Sequence, residues 1–165
     1  AQFVAARGTT ILAARSLPLG ALRLSERHLH HDPIHPAEYA RMKREIDRAL
    51  MRVMGRLSDL APRAAFVAVG GSATTALAMM RRGSTRSQRD GTLRFSDLRR
   101  IERECLARTV AERRLLPGLP PDRADIIPAG IAVVLACMTM WRKRVVHVAG
   151  GGVREGAILA METRD

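Results

Sequence analysis

The sequence is poor in aromatic residues, in cysteine and in long apolar runs. Aromatic residues make up 3% of its 165 residues, which argues against proteins that stack single-stranded nucleic acid on several rings. The two cysteines, Cys105 and Cys137, cannot form a dense disulfide framework, so we expect a reducing, cytoplasmic setting. The longest uncharged apolar stretch, residues 126–141, is shorter than the roughly 20 residues of a membrane helix. With no recognisable signal peptide, membrane and secreted proteins are not expected.

Lysine is also scarce, and the positive charge comes from arginine. The chain carries 28 Lys+Arg against 16 Asp+Glu, a net charge of +12, and only Lys43 and Lys143 are lysine. Residues 81–114 contain 11 arginines and 5 acidic residues, so this segment alone carries half of the net charge. The positive electrostatic field of such a charge excess attracts polyanions. The planar guanidinium of arginine suits phosphate. Nucleic acid, polyphosphate and nucleotide polyphosphates all fit, although a coding bias toward arginine explains the Arg/Lys ratio equally well.

Hydrophobic spacing and turn residues predict strands that alternate with helices. Strands are expected over residues 2–6, 9–17, 64–69 and 145–149. Helices are expected over residues 37–57, 73–82, 95 to the prolines of 117–121, 123–140 and 153–162, with residues 19–29 left open. The expected helix caps are Ser72, Ser96 and Asp122. This order predicts an α/β layer structure with a mixed sheet.

Two glycine-rich turns follow predicted strands at the points where helices begin. Gly70-Gly71-Ser72 follows one strand, with Thr74 in the first turn of the helix, and residues 150–152 follow another. Glycine lets backbone N–H groups approach a ligand, and a helix N-terminus favours anions. The spacing fits neither a P-loop nor a dinucleotide fingerprint, and either turn alone could be purely structural. Two of them at strand ends favour a ligand site at the carboxyl edge of the sheet.

Arg123 and a run of histidines are the other candidates. The predicted helix places Arg123 in its first turn, where a cation is disfavoured by the helix dipole, so a ligand phosphate could be its partner. A solvated pair with a neighbouring carboxylate explains it equally well. The histidines have metal-ligand chemistry but no standard spacing, so loop residues are the preferred interpretation. They are His28, His30, His31 and His35, with Asp32 among them.

Four stretches, taken in order, resemble the exopolyphosphatase/guanosine pentaphosphate phosphatase (Ppx/GppA) family. They are residues 16–26 (SLPLGALRLSE), 69–78 (VGGSATTALA), 117–130 (PGLPPDRADIIPAG) and 151–156 (GGVREG). Together they make the resemblance extend over essentially the whole chain. It implies a ribonuclease-H-like α/β domain of the actin/Hsp70/sugar-kinase superfamily, with a mixed sheet flanked by helices. Residues 1–165 are similar to the second of two such domains, N-terminally truncated and without its first strand.

The resemblance also implies a reaction and a division of labour. Family members release the terminal phosphate of inorganic polyphosphate, or the 5′ γ-phosphate of guanosine pentaphosphate, usually with Mg²⁺. The catalytic glutamate and both family phosphate loops would precede Ala1, so we expect no catalytic residue and no metal ligand in this chain, and no activity from it alone. The phosphate-binding residues carried over are Gly70, Gly71, Ser72, Thr74, Arg123 and Gly151. The expected partner is the N-terminal actin-like domain; a homodimer and the choice between the two substrates stay open.

Three alternatives are weighed against this interpretation. A catalytically silent module that binds polyphosphate or a guanosine tetra- or pentaphosphate is supported by Gly150, which stands where the family usually has Asp. A nucleic-acid-binding domain would need a known reader motif, and we find none. A sugar or acetate kinase of the same superfamily is disfavoured by residues 154–156 and 122–130.

Overall fold

The computed structural model describes residues 1–52, 57, 59, 64–82 and 91–151. Its strands are β1 (Gln2–Arg7), β2 (Thr10–Ser16), β3 (Val67–Val69), β4 (Gly91–Arg94) and β5 (Val145–Ala149). Its bounded α-helices are α1 (Ala21–His28), α2 (Pro36–Met51), α3 (Gly71–Met80), α4 (Phe95–Leu106), α5 (Val110–Arg113) and α6 (Ile127–Met140). A 3₁₀ turn, Pro121–Arg123, lies before α6. The predicted loop over 83–90 and the predicted helix over 153–162 lie outside the described residues.

The strands form two separate sheets within this part of the chain. β1 and β2 are an antiparallel hairpin with a register irregularity between Ala5 and Ala6. The second sheet has the order β3-β5-β4, with β3 parallel and β4 antiparallel to β5. The predicted mixed sheet is therefore confirmed. The parallel pair aligns Val69 with Ala149, so the chain leaves both strands at the same edge.

The second sheet departs from the prediction in two places. β3 begins at Val67, three residues later than expected. β4 was not predicted, because only one of its four side chains, Leu93, is buried and a single apolar residue gives no alternation to detect. Leu93 lies opposite Val146 of β5, so the strand depends on a partner about fifty residues away.

Several expected helix boundaries are wrong, and Asp122 does not cap α6, which begins at Ile127. α2 ends at Met51 instead of extending to 57, and residues 53–56 lie outside the description. α4 begins at Phe95, where the Asp97 carboxylate accepts the Arg94 N–H at 3.0 Å, so Ser96 lies inside the first turn and is not the cap. The helix expected to run from residue 95 to the prolines of 117–121 ends at Leu106 instead. A separate helix, α5, begins at Val110 with Thr109 as its N-cap.

The central element is α6, which is apolar on all sides because it is buried on all sides. One face packs with the mixed sheet, α3 and α4, and it presents Ile127, Ile131, Leu135 and Met138. The opposite face packs with α1 and α2, and it presents small residues and Val133 together with Cys137. Both cysteines are buried and unpaired, as expected. Among the described residues, no helix combines the length and hydropathy needed to cross a bilayer.

Candidate functional site

The candidate site lies at the shared carboxyl edge of β3 and β5. Gly70 follows β3 and has a φ of +97°, a backbone conformation that favours glycine. The chain then enters α3 at once, with Gly70 as the residue before the first helical turn. Because β5 is the parallel neighbour of β3, Gly150 and Gly151 leave the sheet beside this turn. The structure thus brings the two predicted glycine turns to one edge.

Ser72 does not cap α3, because the helix begins one residue before it. Its side chain faces α6 instead: a β-carbon added to Gly130 would lie 2.2 Å from Ser72 Oγ. The Thr74 hydroxyl donates back to the carbonyls of Gly70 and Gly71, each at 3.3 Å. Both hydroxyls are therefore engaged in packing or in the helix itself. What the turn offers a ligand is its backbone N–H groups, which have no acceptor inside the helix.

Arg123 is not in the first turn of α6, so the helix-dipole argument for it was wrong. It ends the 3₁₀ turn after Pro120, and α6 starts four residues later at Ile127. Its side chain extends to a different helix start: the guanidinium lies against Gly71 at the N-terminus of α3. The cation therefore does stand at a positive helix end, but at that of α3.

The guanidinium of Arg123 contacts no acceptor among the described residues. Its neighbours in sequence, Asp122 and Asp125, are exposed and make no ion pair with it in the described part of the chain. The guanidinium thus lies beside the first backbone N–H groups of α3, and no carboxylate of the described residues pairs with it. Such an arrangement is electrostatically suited to an anion such as phosphate. Gly151 lies at the same edge, and no described residue lies within 4 Å of a β-carbon added to it.

A groove leads away from this point, between β1 and β3, whose edges here pair with no other described strand. Its volume is about 630 Å³, and Gly70 and Gly71 lie along its wall. Apolar side chains dominate the rest of the lining, including Phe3, Phe66 and Trp141, which meet in edge-to-face contacts. The Trp141 Nε1–H is buried and has no partner among the described residues. Sequence patterns did not predict this groove, because it arises from two strands that are separated by sixty residues.

The histidines serve the structure. His28 pairs with Glu45 at 2.8 Å, and His31 pairs with Glu38 at 2.8 Å. His35 accepts the Ala37 N–H at the start of α2. Nowhere in the described ranges do three metal-ligating side chains come together in a way that could hold an ion.

Asp32 and the buried acid Glu102 also have structural partners. Asp32 accepts the Val110 N–H at 2.8 Å, which caps α5. Glu102 is buried between Tyr39, whose hydroxyl donates to it, and Arg99. Burial next to this carboxylate raises the pKa of Tyr39. Neither carboxylate lines the groove at the glycine turns, and neither is placed there to act as a base.

Comparisons with known proteins agree on one family. Residues 1–165 match the Ppx/GppA phosphatase family over their whole length. A protein of Vibrio campbellii named guanosine-5'-triphosphate,3'-diphosphate pyrophosphatase is 23% identical over 163 residues, which are 97% of this chain and 31% of that protein. A Pseudoalteromonas atlantica protein of the same name is 28% identical over 69 residues, 42% of this chain and 14% of its own length.

The fold has solved counterparts. A Ppx/GppA family member from Aquifex aeolicus superposes with a TM-score of 0.87 at 21% identity, covering 99% of this chain and 53% of that one. An exopolyphosphatase from Cytophaga hutchinsonii superposes with a TM-score of 0.80 at 20% identity, covering 97% and 53%. The chain thus spans about half the length of these solved structures and less than a third of the Vibrio protein. These likenesses confirm the predicted α/β, actin-like fold.

Proposed function

Because the chain belongs to the Ppx/GppA phosphatase family, we propose that it is the second actin-like domain of a phosphohydrolase that removes a terminal phosphate. The substrate is inorganic polyphosphate or guanosine pentaphosphate, whose 5′ γ-phosphate would be released. In this proposal the described residues bind and orient the phosphate chain. The catalytic base comes from the other actin-like domain.

One observation carries the proposal: the Arg123 guanidinium lies against Gly71 at the start of α3 and contacts no acceptor in the described residues. A phosphate placed there would accept hydrogen bonds from the guanidinium and from the first-turn N–H groups together. Phosphoryl transfer depends mainly on positioning and on stabilising charge that develops on the phosphate oxygens. Preorganised donors of this kind supply both. We therefore assign phosphate contacts to Arg123 and to the backbone of Gly70, Gly71 and Ser72.

Gly151 and Thr74 take lesser parts in this proposal. Gly151 lies at the same edge, so its backbone can face the bound phosphate chain. The Thr74 hydroxyl already donates to the α3 backbone. We assign it to holding the first helical turn in shape. Ser72 contributes its backbone N–H only, because its hydroxyl packs onto Gly130.

The groove supports the domain assignment. It runs between two strand edges, is lined largely by apolar side chains and ends at the glycine turn. A β-strand inserted there would join the two sheets, and if parallel to β3 it would bring its carboxyl end next to Arg123. We propose that a strand preceding Ala1 fills the groove, and that the phosphate loop implied by the family resemblance follows it.

Mg²⁺ belongs to the proposal only as a requirement of the longer protein. The described residues contain no cluster of three or more candidate metal ligands, and their proposed role is phosphate binding. When bound elsewhere, the ion would neutralise phosphate oxygens. A cytoplasmic location is likewise proposed, and two free, buried cysteines suit a reducing compartment.

Phosphate release by the full-length protein tests this function. Purified protein is incubated with Mg²⁺ and either polyphosphate or guanosine pentaphosphate, and inorganic phosphate is measured over time. We expect release from at least one substrate, and a much lower kcat/KM in Arg123→Ala. Arg41→Ala, which removes an exposed arginine of α2 without a described partner, should retain the wild-type rate. No release from either substrate would contradict the proposed function.

A further inference from the structure

Gly70 and Gly71 are glycines for different physical reasons. Gly70 needs its positive φ of +97°, which other residues adopt only with strain. Gly71 is the first residue of α3 and has no such φ. Its backbone would accept any L-residue, and alanine is a better helix former than glycine. The backbone therefore does not explain why residue 71 lacks a side chain.

The space beside Gly71 is occupied by Arg123. An added β-carbon would lie 1.8 Å from Nη1 of Arg123, 2.5 Å from Cζ and 2.6 Å from Nη2. All three distances are far below van der Waals contact, so the guanidinium fills the volume that a side chain at residue 71 would take. Because this group ends a long flexible side chain, it could swing away at little cost to the fold.

We propose that Gly71 is a positioning residue, whose missing side chain seats the Arg123 guanidinium against the N-terminus of α3. The seat holds the guanidinium next to the backbone N–H groups, so that both sets of donors converge on one phosphate. Any side chain at residue 71 displaces the guanidinium from this position while leaving α3 intact. This inference rests on the proposed function for its binding consequence, but not for the displacement itself.

A double-mutant cycle separates the coupling between Gly71 and Arg123 from any other effect of Gly71. Gly71→Ala, Arg123→Ala and the double variant are made in the full-length protein and titrated with inorganic tripolyphosphate. We expect each single variant to weaken binding by roughly 10- to 100-fold, the effect of one charge-assisted contact. The double variant should bind no more weakly than either single variant. Losses that multiply, or wild-type affinity in Gly71→Ala while Arg123→Ala binds weakly, would overturn the inference.

Two controls separate folding from positioning. Gly20→Ala makes the same change at a helix start where nothing lies within 4 Å of the added carbon, and it should bind tripolyphosphate normally. The melting temperature of Gly71→Ala should equal or exceed that of the wild type. A lower melting temperature with unchanged affinity would mean that the glycine serves packing only.

A ligand-free measurement keeps this inference distinct from the proposed function. The Nε–H resonance of Arg123, assigned by its loss in Arg123→Ala, should shift in Gly71→Ala and stay in place in Gly20→Ala. An unchanged Arg123 resonance in Gly71→Ala would mean that Gly71 does not position the guanidinium, whatever the protein binds. The resonance could shift in Gly71→Ala while Arg123→Ala binds tripolyphosphate as well as the wild type. Gly71 would then position the guanidinium, but the proposed phosphate role of Arg123 would be wrong.

Discussion

Ser72 occupies the space in which a side chain at Gly130 would begin. A β-carbon added at Gly130 would lie 2.2 Å from Ser72 Oγ and 2.7 Å from Ser72 Cβ. The two residues belong to α3 and α6, which pack against each other. The absence of a side chain at Gly130 therefore sets how closely α3, which begins at the candidate site, approaches the central helix.

Gly130→Ala should destabilise the protein. Ser72 Cβ is attached directly to the backbone of α3, so the clash cannot be relieved by a rotamer change alone. We expect the free energy of unfolding to fall by about 1–3 kcal/mol, the usual cost of overpacking, measured by urea denaturation. Adding Ser72→Gly should restore part of it. Stability equal to that of the wild type would show that the two helices can separate freely.

Arg113 should be needed for folding. It is almost completely buried and donates to three backbone carbonyls, those of Ala124 at 2.7 Å, Cys105 at 3.0 Å and Arg108 at 2.9 Å. Lysine cannot serve three acceptors spread around a planar guanidinium. Arg113→Lys should therefore lower the free energy of unfolding by about 2–4 kcal/mol.

The control for Arg113 is its neighbour Arg114, which is exposed. Arg114→Lys should change stability by less than about 0.5 kcal/mol, as is usual for surface substitutions. Urea denaturation followed by circular dichroism measures both variants. If they unfold at the same midpoint, the carbonyl network around Arg113 contributes nothing.

Glu38 should make stability depend on acid. Hydrogen bonding, above all to the side chain of His31, lowers the pKa of Glu38 from 4.5 to about 2. The unfolded carboxyl thus takes up a proton at a higher pH than the folded one. Stability is complete above the unfolded pKa and is lost as the pH falls from about 4.5 through about 2.

Glu38→Gln tests this pH dependence. Melting temperatures are recorded from neutral pH down to pH 2, with Asp47→Asn as the control, because Asp47 is exposed and has no described partner. Glu38→Gln should be less stable at neutral pH and should lose less stability over the acid range than the control. Parallel curves for the two variants would mean that the Glu38 carboxylate does not stabilise the loop before α2.

Residues 1–165 alone should release no phosphate. Described residues supply donors and positive charge at the glycine turns, but no cluster of metal ligands. Purified chain incubated with polyphosphate and Mg²⁺ should produce phosphate at the buffer rate, whereas the full-length protein should exceed it. Release by the chain alone would contradict the proposed division of labour.

Sequence patterns predicted much of the fold because apolar spacing and turn residues mark many of its elements. The hairpin, β5 and the buried helix α6 were expected within a few residues of their bounds. β4 was missed because Leu93 alone is buried in it and because its hydrogen bonds come from β5. Local pattern carries little information about an element that a distant strand completes.

The candidate site was predicted in part. The glycine turns could be placed at strand ends, and parallel pairing then brought them together. The helix-dipole argument for Arg123 was wrong, since α6 starts at Ile127, and the contact of its side chain with Gly71 depends on tertiary packing. Ser72 was expected to cap α3 because serine favours caps, but α3 begins at Gly71, and the Ser72 side chain lies against Gly130.

The titration of Arg123 variants tests the central claim most directly. Wild type, Arg123→Ala, Arg123→Lys and the control Arg41→Ala are titrated with guanosine pentaphosphate and with inorganic tripolyphosphate, and their melting curves are recorded. We predict a loss of roughly 10- to 100-fold in affinity for Arg123→Ala, partial recovery for Arg123→Lys because the planar fork is missing, and nearly unchanged melting temperatures. A lower melting temperature with wild-type affinity would show that Arg123 is a structural residue and that this edge of the sheet does not bind phosphate through it.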